Sequence, residues 1–222
     1  MKDIALIDDN FINQNTHFPT LIAGIKNGFA SSTIEVPQRH HHNFSNPKED
    51  IDSTLLLMPA WNPSKEAGVK IVTVSPNNGK YNLPSIQGTY IYLDAHKGMV
   101  KAILGAKALT VKRTAATSAL AASYLAKKDA SSLLMIGTGA LSKNLIVAHA
   151  SVRPIKRVYV WGRNLEKAKA VVNVITKHLQ ISKSDSLQIS PIKNIEEGIE
   201  KADIISCATL SPTPLVFGKK LK

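Results

Sequence analysis

One cysteine, Cys207, stands among 222 residues, so an internal disulfide is excluded. It lies in the apolar run Asp203-Ile-Ile-Ser-Cys-Ala208, which predicts a buried structural thiol rather than a nucleophile. Long apolar runs are missing too. None reaches the roughly 20 residues that cross a bilayer, and Met1-Lys-Asp-Ile-Ala-Leu-Ile-Asp-Asp9 lacks the apolar core of a signal peptide. The expectation is a globular cytoplasmic chain with no membrane partner. Aromatic residues make up only 5% of the sequence, and the lysines are scattered along helical stretches without aromatics between them. That pattern argues against a nucleic-acid partner.

Negative charge is scarce in the second half. Met1 to Lys112 carries 11 Lys/Arg against 9 Asp/Glu, whereas Arg113 to Lys222 carries 17 against 7. A positive field there favours a polyphosphate cofactor.

The basic half also contains the most informative stretch, Ser131-Ser-Leu-Leu-Met-Ile-Gly-Thr-Gly-Ala-Leu-Ser142. Leu133 to Ile136 form a short apolar run suited to a strand buried on both faces, and Gly137 ends it where a helix pattern begins. A strand, a glycine turn and a helix start hold a dinucleotide pyrophosphate, because glycines admit the phosphates and the helix offers unpaired N–H groups. The third glycine of the usual fingerprint is Ser142 here, still small enough for close helix–strand packing.

The first half reads as β-rich. Leu21 to Ala30 is a short helix with Leu21, Ile22, Ile25 and Phe29 on one side. His40, His41 and His42 follow Arg39; adjacent residues on an extended chain point to opposite faces and no ligand set follows, so a solvated loop is expected and no metal. Ser53 to Ala60 is a strand stopped by Pro59. Gly68 to Pro76 is a second strand with Lys70 inside an apolar run, either an edge lysine that guards against aggregation or a partly buried ammonium facing a site. Asn77 to Lys80 forms a turn, and Gly88 to Asp94 with Gly98 to Leu104 forms a hairpin.

From Thr110 to Ala126 the texture changes to a helix of small residues, with Arg113 expected at its N-terminal end, where the helix dipole disfavours a cation and hints at an anionic ligand. Beyond the glycine turn, strands at Arg157 to Trp161, Ser186 to Pro191 and Ile204 to Ala208 alternate with helices. One helix carries Leu165, Ala168, Val172, Ile175 and Leu179 and is capped by Asn164; the other spans Ile195 to Lys201. Such alternation implies a parallel sheet. An acidic residue after the second strand would select NAD; here Trp161-Gly-Arg-Asn164 has none. Arg163 is either a clamp for the 2′-phosphate of NADP or a solvated turn residue, and the clamp makes NADPH the expected cofactor, with NADH possible.

Val36-Pro-Gln-Arg39, Leu57-Met-Pro-Ala60, Gly68-Val-Lys70, Leu109-Thr-Val-Lys-Arg-Thr-Ala-Ala-Thr-Ser-Ala-Leu-Ala-Ala122 and Ile136-Gly-Thr-Gly-Ala140 resemble, in order and spacing, the ornithine cyclodeaminase/mu-crystallin family. Val158-Tyr-Val-Trp-Gly-Arg163 and Ser206-Cys-Ala-Thr-Leu-Ser211 look most like its Δ1-pyrroline-2-carboxylate reductases. The resemblance implies an α/β chain of two domains: a β-rich substrate-binding and dimerisation domain over 1–112, and a Rossmann-type NAD(P)-binding domain over 113–222 that stops short of the family's usual C-terminal strands. It implies that Arg39 and Arg113 clamp a substrate carboxylate and that Lys70 lies beside the imine as the catalytic proton donor or electrostatic partner. Ser85, Arg113, Gly137, Thr138, Gly139, Ala140, Leu141, Trp161, Arg163, Asn164 and Thr209 would line the cofactor. The implied activity is reduction of a cyclic imino acid to proline by a homodimer. Ornithine cyclodeamination and NADPH binding without turnover are the alternatives.

Overall fold

The computed structural model describes residues 4–181 and 187–221. In order, the chain forms β1 (Ala5–Ile7), α1 (Asp9–Asn15), α2 (Phe18–Ala30), β2 (His40–Phe44), β3 (Ser53–Asn62), β4 (Glu66–Val74), β5 (Ile86–Asp94), β6 (Met99–Gly105) and α3 (Ala106–Leu125). There follow β7 (Ser132–Ile136), α4 (Ser142–Ala150), β8 (Arg157–Trp161), α5 (Leu165–Ile181), β9 (Gln188–Pro191), α6 (Ile195–Lys201) and β10 (Ile204–Cys207). By contact it divides into two units, Met1–Thr16 with Asn27–Thr110, and His17–Lys26 with Val111–Lys222. The segment His17–Lys26 joins the second unit because Phe18 and Ile22 are buried in one cluster with Ala115, Ala119 and Leu120.

The first unit is a six-stranded sheet in the order β1-β6-β5-β4-β3-β2, antiparallel except for the β1–β6 pair. The hairpin of β5 and β6 forms as the sequence predicts. The expected stop at Pro59 does not occur, because that proline sits where its missing N–H costs nothing. Trp61 N–H donates to Glu35, so the nitrogen of Pro59, two residues earlier, faces the same side, and there the ladder with β2 has already ended at Leu57. The three histidines form not a loop but the edge strand β2, all exposed, with His40 and His42 sharing a face and their rings 6.1 Å apart. Asn77 to Lys80 turn within a short 3₁₀ helix, Pro76–Tyr81.

The second unit is a four-stranded parallel sheet in the order β10-β7-β8-β9. Alternation along its central strands fills two cores. Leu133, Met135, Val158 and Val160 pack on one side with Leu145 and Ile146 of α4 and Ala168 and Ile175 of α5. Leu134 and Ile136 pack on the other with Ile192 and Ile199. β7 is therefore buried along its whole length, as a strand covered on both faces must be. The chain winds outward from β7 through β8 to β9, then returns to place β10 on the opposite side of β7. Ser186, where the third of these strands was expected to begin, and the side chain of Leu179 lie outside the described residues. Among the described residues no helix is long and apolar enough to cross a membrane.

Candidate functional site

The point where strand order reverses, between β7 and β10, is where parallel sheets of this kind open a crevice at their carboxyl ends. Gly137 closes β7 with φ +119°, and a Cβ there would lie 2.2 Å from the Ala208 carbonyl oxygen, so only glycine fits. Its N–H donates to Trp161 (2.9 Å), and the Ala208 N–H donates to Ile136 (2.8 Å), which ties the turn to both neighbouring strands. Ser142 is fully buried and its hydroxyl donates to the Gly137 carbonyl at 2.8 Å. The residue replacing the third glycine thus fastens the first turn of α4 to the glycine turn.

Gly139 has the opposite environment. A Cβ on it would meet nothing within 4 Å, and the α4 N-cap, Leu141, contributes no side-chain hydrogen bond. An exposed backbone without side-chain cover at a helix start fits the pyrophosphate of a dinucleotide. Thr138 packs on the end of β8, where a Cβ on Gly162 would lie 2.6 Å from its Cγ2. Arg163 and Asn164 follow, both exposed, and the Asn164 side-chain oxygen accepts from the N–H groups of Glu166 (2.9 Å) and Lys167 (3.2 Å), capping α5 as expected. Trp161 donates its indole N–H to the Lys193 carbonyl at 3.2 Å. Thr209 follows β10, its hydroxyl oxygen 3.3 Å from the Ser211 N–H. Gly137, Thr138, Gly139, Ala140, Leu141, Trp161, Arg163, Asn164 and Thr209 therefore gather at the carboxyl ends of β7, β8 and β10.

Two expectations in this unit need correction. Arg113 does not stand at a helix start: α3 begins at Ala106, so Arg113 is exposed in its middle and the dipole argument for an anion lapses. Cys207 is exposed, not buried: it is the last residue of β10, an edge strand of the sheet, although Ile205 on the same face packs against the second core. Partial desolvation still holds its thiol above the ordinary pKa.

In the first unit, Lys70 lies on β4 with paired strands on both sides, opposite Met58 of β3 and Tyr90 of β5. That position removes the edge-strand explanation. Gly68 and Val72, two residues to either side on the same face, are buried. The Tyr90 ring lies over Gly68, its hydroxyl 2.0 Å from where a Cβ would be, and burial, then the charges of Tyr92 and Glu66, hold its pKa above the usual phenol value. Arg39 precedes His40, which pairs with Leu57, so Arg39 stands at the level of Met58 and Lys70, about 10 Å from Lys70 by strand spacing. Ser85 is further along, opposite Ser75 and bonded to the Pro76 carbonyl at 3.4 Å. Tyr90 escaped the sequence reading because only strand register sets it beside Lys70.

The parallel half-sheet with its glycine turn and second, β-rich unit defines an α/β protein of the Rossmann type. The model of the ornithine cyclodeaminase/mu-crystallin family matches residues 7–222, and the chain belongs to that family. It is 42% identical over 200 residues to an uncharacterized protein of Schizosaccharomyces pombe, an overlap covering 89% of this chain and 59% of the relative. It is 33% identical over 219 residues to the Δ1-pyrroline-2-carboxylate reductase of Colwellia psychrerythraea, covering 98% and 67%. Among solved structures, the Δ1-pyrroline-2-carboxylate reductase of Thermococcus litoralis in complex with NADH and L-proline matches with a TM-score of 0.85 at 26% identity, over 98% of this chain and 66% of that one. The chain thus spans about three fifths to two thirds of the length of these proteins.

Proposed function

We propose that this chain serves the NAD(P)H-dependent reduction of a cyclic imino acid, Δ1-pyrroline-2-carboxylate to L-proline. Support comes chiefly from Lys70, a cation in an interior strand on a face whose neighbours are buried, in a chain whose relatives and structural neighbours include reductases of that name. A bound NAD(P)H supplies a hydride to the imine carbon. Lys70 gives a proton to the imine nitrogen, so one hydride and one proton convert C=N to CH–NH. Arg39 and Arg113 hold the carboxylate, for which a planar two-point donor is suited.

In the same reading, Gly137, Thr138, Gly139, Ala140 and Leu141 hold the pyrophosphate, while Ser85, Arg113, Trp161, Asn164 and Thr209 complete the cofactor contacts. Arg163, standing where a carboxylate would select NAD, favours NADPH. A homodimer belongs to the proposal as well. The sheet face bearing Leu55, Leu57, Val69, Ile71, Ile91 and Leu93 is apolar, yet none of these six is buried.

The test is NADPH consumption with Δ1-pyrroline-2-carboxylate, beside a binding titration. Lys70→Met is expected to lower turnover about 100-fold or more while NADPH affinity stays within about twofold. Full activity in that variant would remove Lys70 from the chemistry.

A further inference from the structure

Lys143 and Lys167 stand in the first turns of α4 and α5, where a helix dipole disfavours a cation. Both line a cavity of about 240 Å³ together with Thr138 and Gly139 of the glycine turn and Val171 and Val174 of α5. None of its walls is acidic. Among the described residues neither lysine has an ion-pair partner, and Glu166, the one carboxylate in the first turn of α5, is held by Lys169 at 2.8 Å. A third ammonium adds to the field: burial, then the charge of Lys143, pushes the Lys112 pKa below its ordinary value. Folding alone gains nothing from cations set against two helix dipoles and against each other. A bound anion relieves both conflicts.

The position of the cavity selects the anion. It begins at Thr138, which packs on Gly162 and so joins the glycine turn to the Arg163 segment. In parallel sheets of this kind the end of the second strand is where the adenosine ribose is read. We propose that Lys143 and Lys167 form the receptor for a phosphomonoester on the cofactor's adenosine ribose, the 2′-phosphate that distinguishes NADP from NAD. This rests on the dinucleotide reading of the glycine turn and extends to two lysines the role first given to Arg163 alone. The two ammonium groups are point charges that line one cavity, with Val171 and Val174 of α5 as its apolar lining.

Two fragments of the cofactor separate the possibilities without any turnover: adenosine 2′,5′-bisphosphate and 5′-AMP, each titrated calorimetrically into the full chain. The wild type is expected to bind the bisphosphate at least about tenfold more tightly than 5′-AMP. Lys143→Ala and Lys167→Ala should each weaken the bisphosphate about tenfold and 5′-AMP less than twofold. Both variants should melt as the wild type does, and Lys169→Ala should change neither affinity. A bisphosphate preference that survives in both lysine variants overturns the receptor and leaves NADP selection to Arg163. Equal weakening by Lys169→Ala overturns it as well, since a diffuse field would then suffice. A wild type that binds 5′-AMP without preferring the bisphosphate removes NADP selection but keeps the dinucleotide reading. Binding of neither fragment removes that reading too.

Discussion

Acidification should destabilise the second unit through one residue, His149. It lies on α4 at 3% exposure, with Nε2 3.2 Å from the Ser118 hydroxyl and Nδ1 buried without a hydrogen-bond partner among the described residues. Burial pushes its pKa from the ordinary 6.5 down to about 4. The native state therefore holds the imidazole neutral in a range where the unfolded chain binds a proton, and stability falls as pH drops from about 6.5 toward about 4. Each pKa unit is worth about 1.4 kcal/mol, so the loss reaches about 2 kcal/mol by pH 5 and about 3 kcal/mol once titration is complete. The measurement is urea unfolding at pH 7 and pH 5, followed by Trp161 fluorescence in a Trp61→Phe background so that the signal reports the second unit. His149→Leu fills a similar volume with an apolar group and abolishes the titration. The wild type should lose about 2 kcal/mol more than His149→Leu between the two pH values. Equal losses would show that His149 is either already solvated or able to hold its proton in place, and the reasoning would fail.

The two glycines of the turn should respond oppositely to alanine. Gly137→Ala meets the Ala208 carbonyl and a positive φ, and should cost about 2–4 kcal/mol in urea unfolding, whereas Gly139→Ala has open space and should stay within about 0.5 kcal/mol while dinucleotide affinity drops. Asp203 ties the amino ends of β7 and β10 together, its carboxylate accepting from the Ser131 and Ser132 N–H groups at 2.9 and 3.0 Å. Asp203→Ala should destabilise the second unit by about 1–2 kcal/mol, and a change below about 0.3 kcal/mol would mean that water replaces the carboxylate fully.

The parallel sheet was legible because its signals are local. Four consecutive apolar residues before Gly137 and Asn164 before a 3.6-residue apolar period each carry their own physical cause, and the structure realises both. The misreadings arise where a residue's meaning depends on a partner far away in sequence. Pro59 should end a strand only if its nitrogen faces another strand, and the Glu35–Trp61 bridge shows it faces the side where the ladder with β2 has ended. Cys207 should be buried only if other elements cover the last residue of the edge strand β10, and they do not.

The same distinction governs the site. A cation against a helix dipole is a sound physical signal, but applied to Arg113 it failed because the small-residue texture, read from Thr110, places the start of α3 four residues too late, beyond the β6 strand that leads straight into it. Applied to helix starts that glycine and asparagine mark, the signal singles out Lys143 and Lys167, which sequence alone gives no reason to pair. Their pairing needs the right-handed crossover that sets α4 and α5 on one face of the sheet, so that two first turns, 24 residues apart in the chain, open on one cavity. Lys70 and Tyr90 repeat the logic with strands: register, not composition, brings an ammonium and a desolvated phenol opposite one another. In both units the chemistry-bearing residues are thus local in kind and non-local in arrangement. A one-residue slip of β5 against β4 would leave helix and strand content unchanged and still turn Tyr90 to the opposite sheet face, away from Lys70.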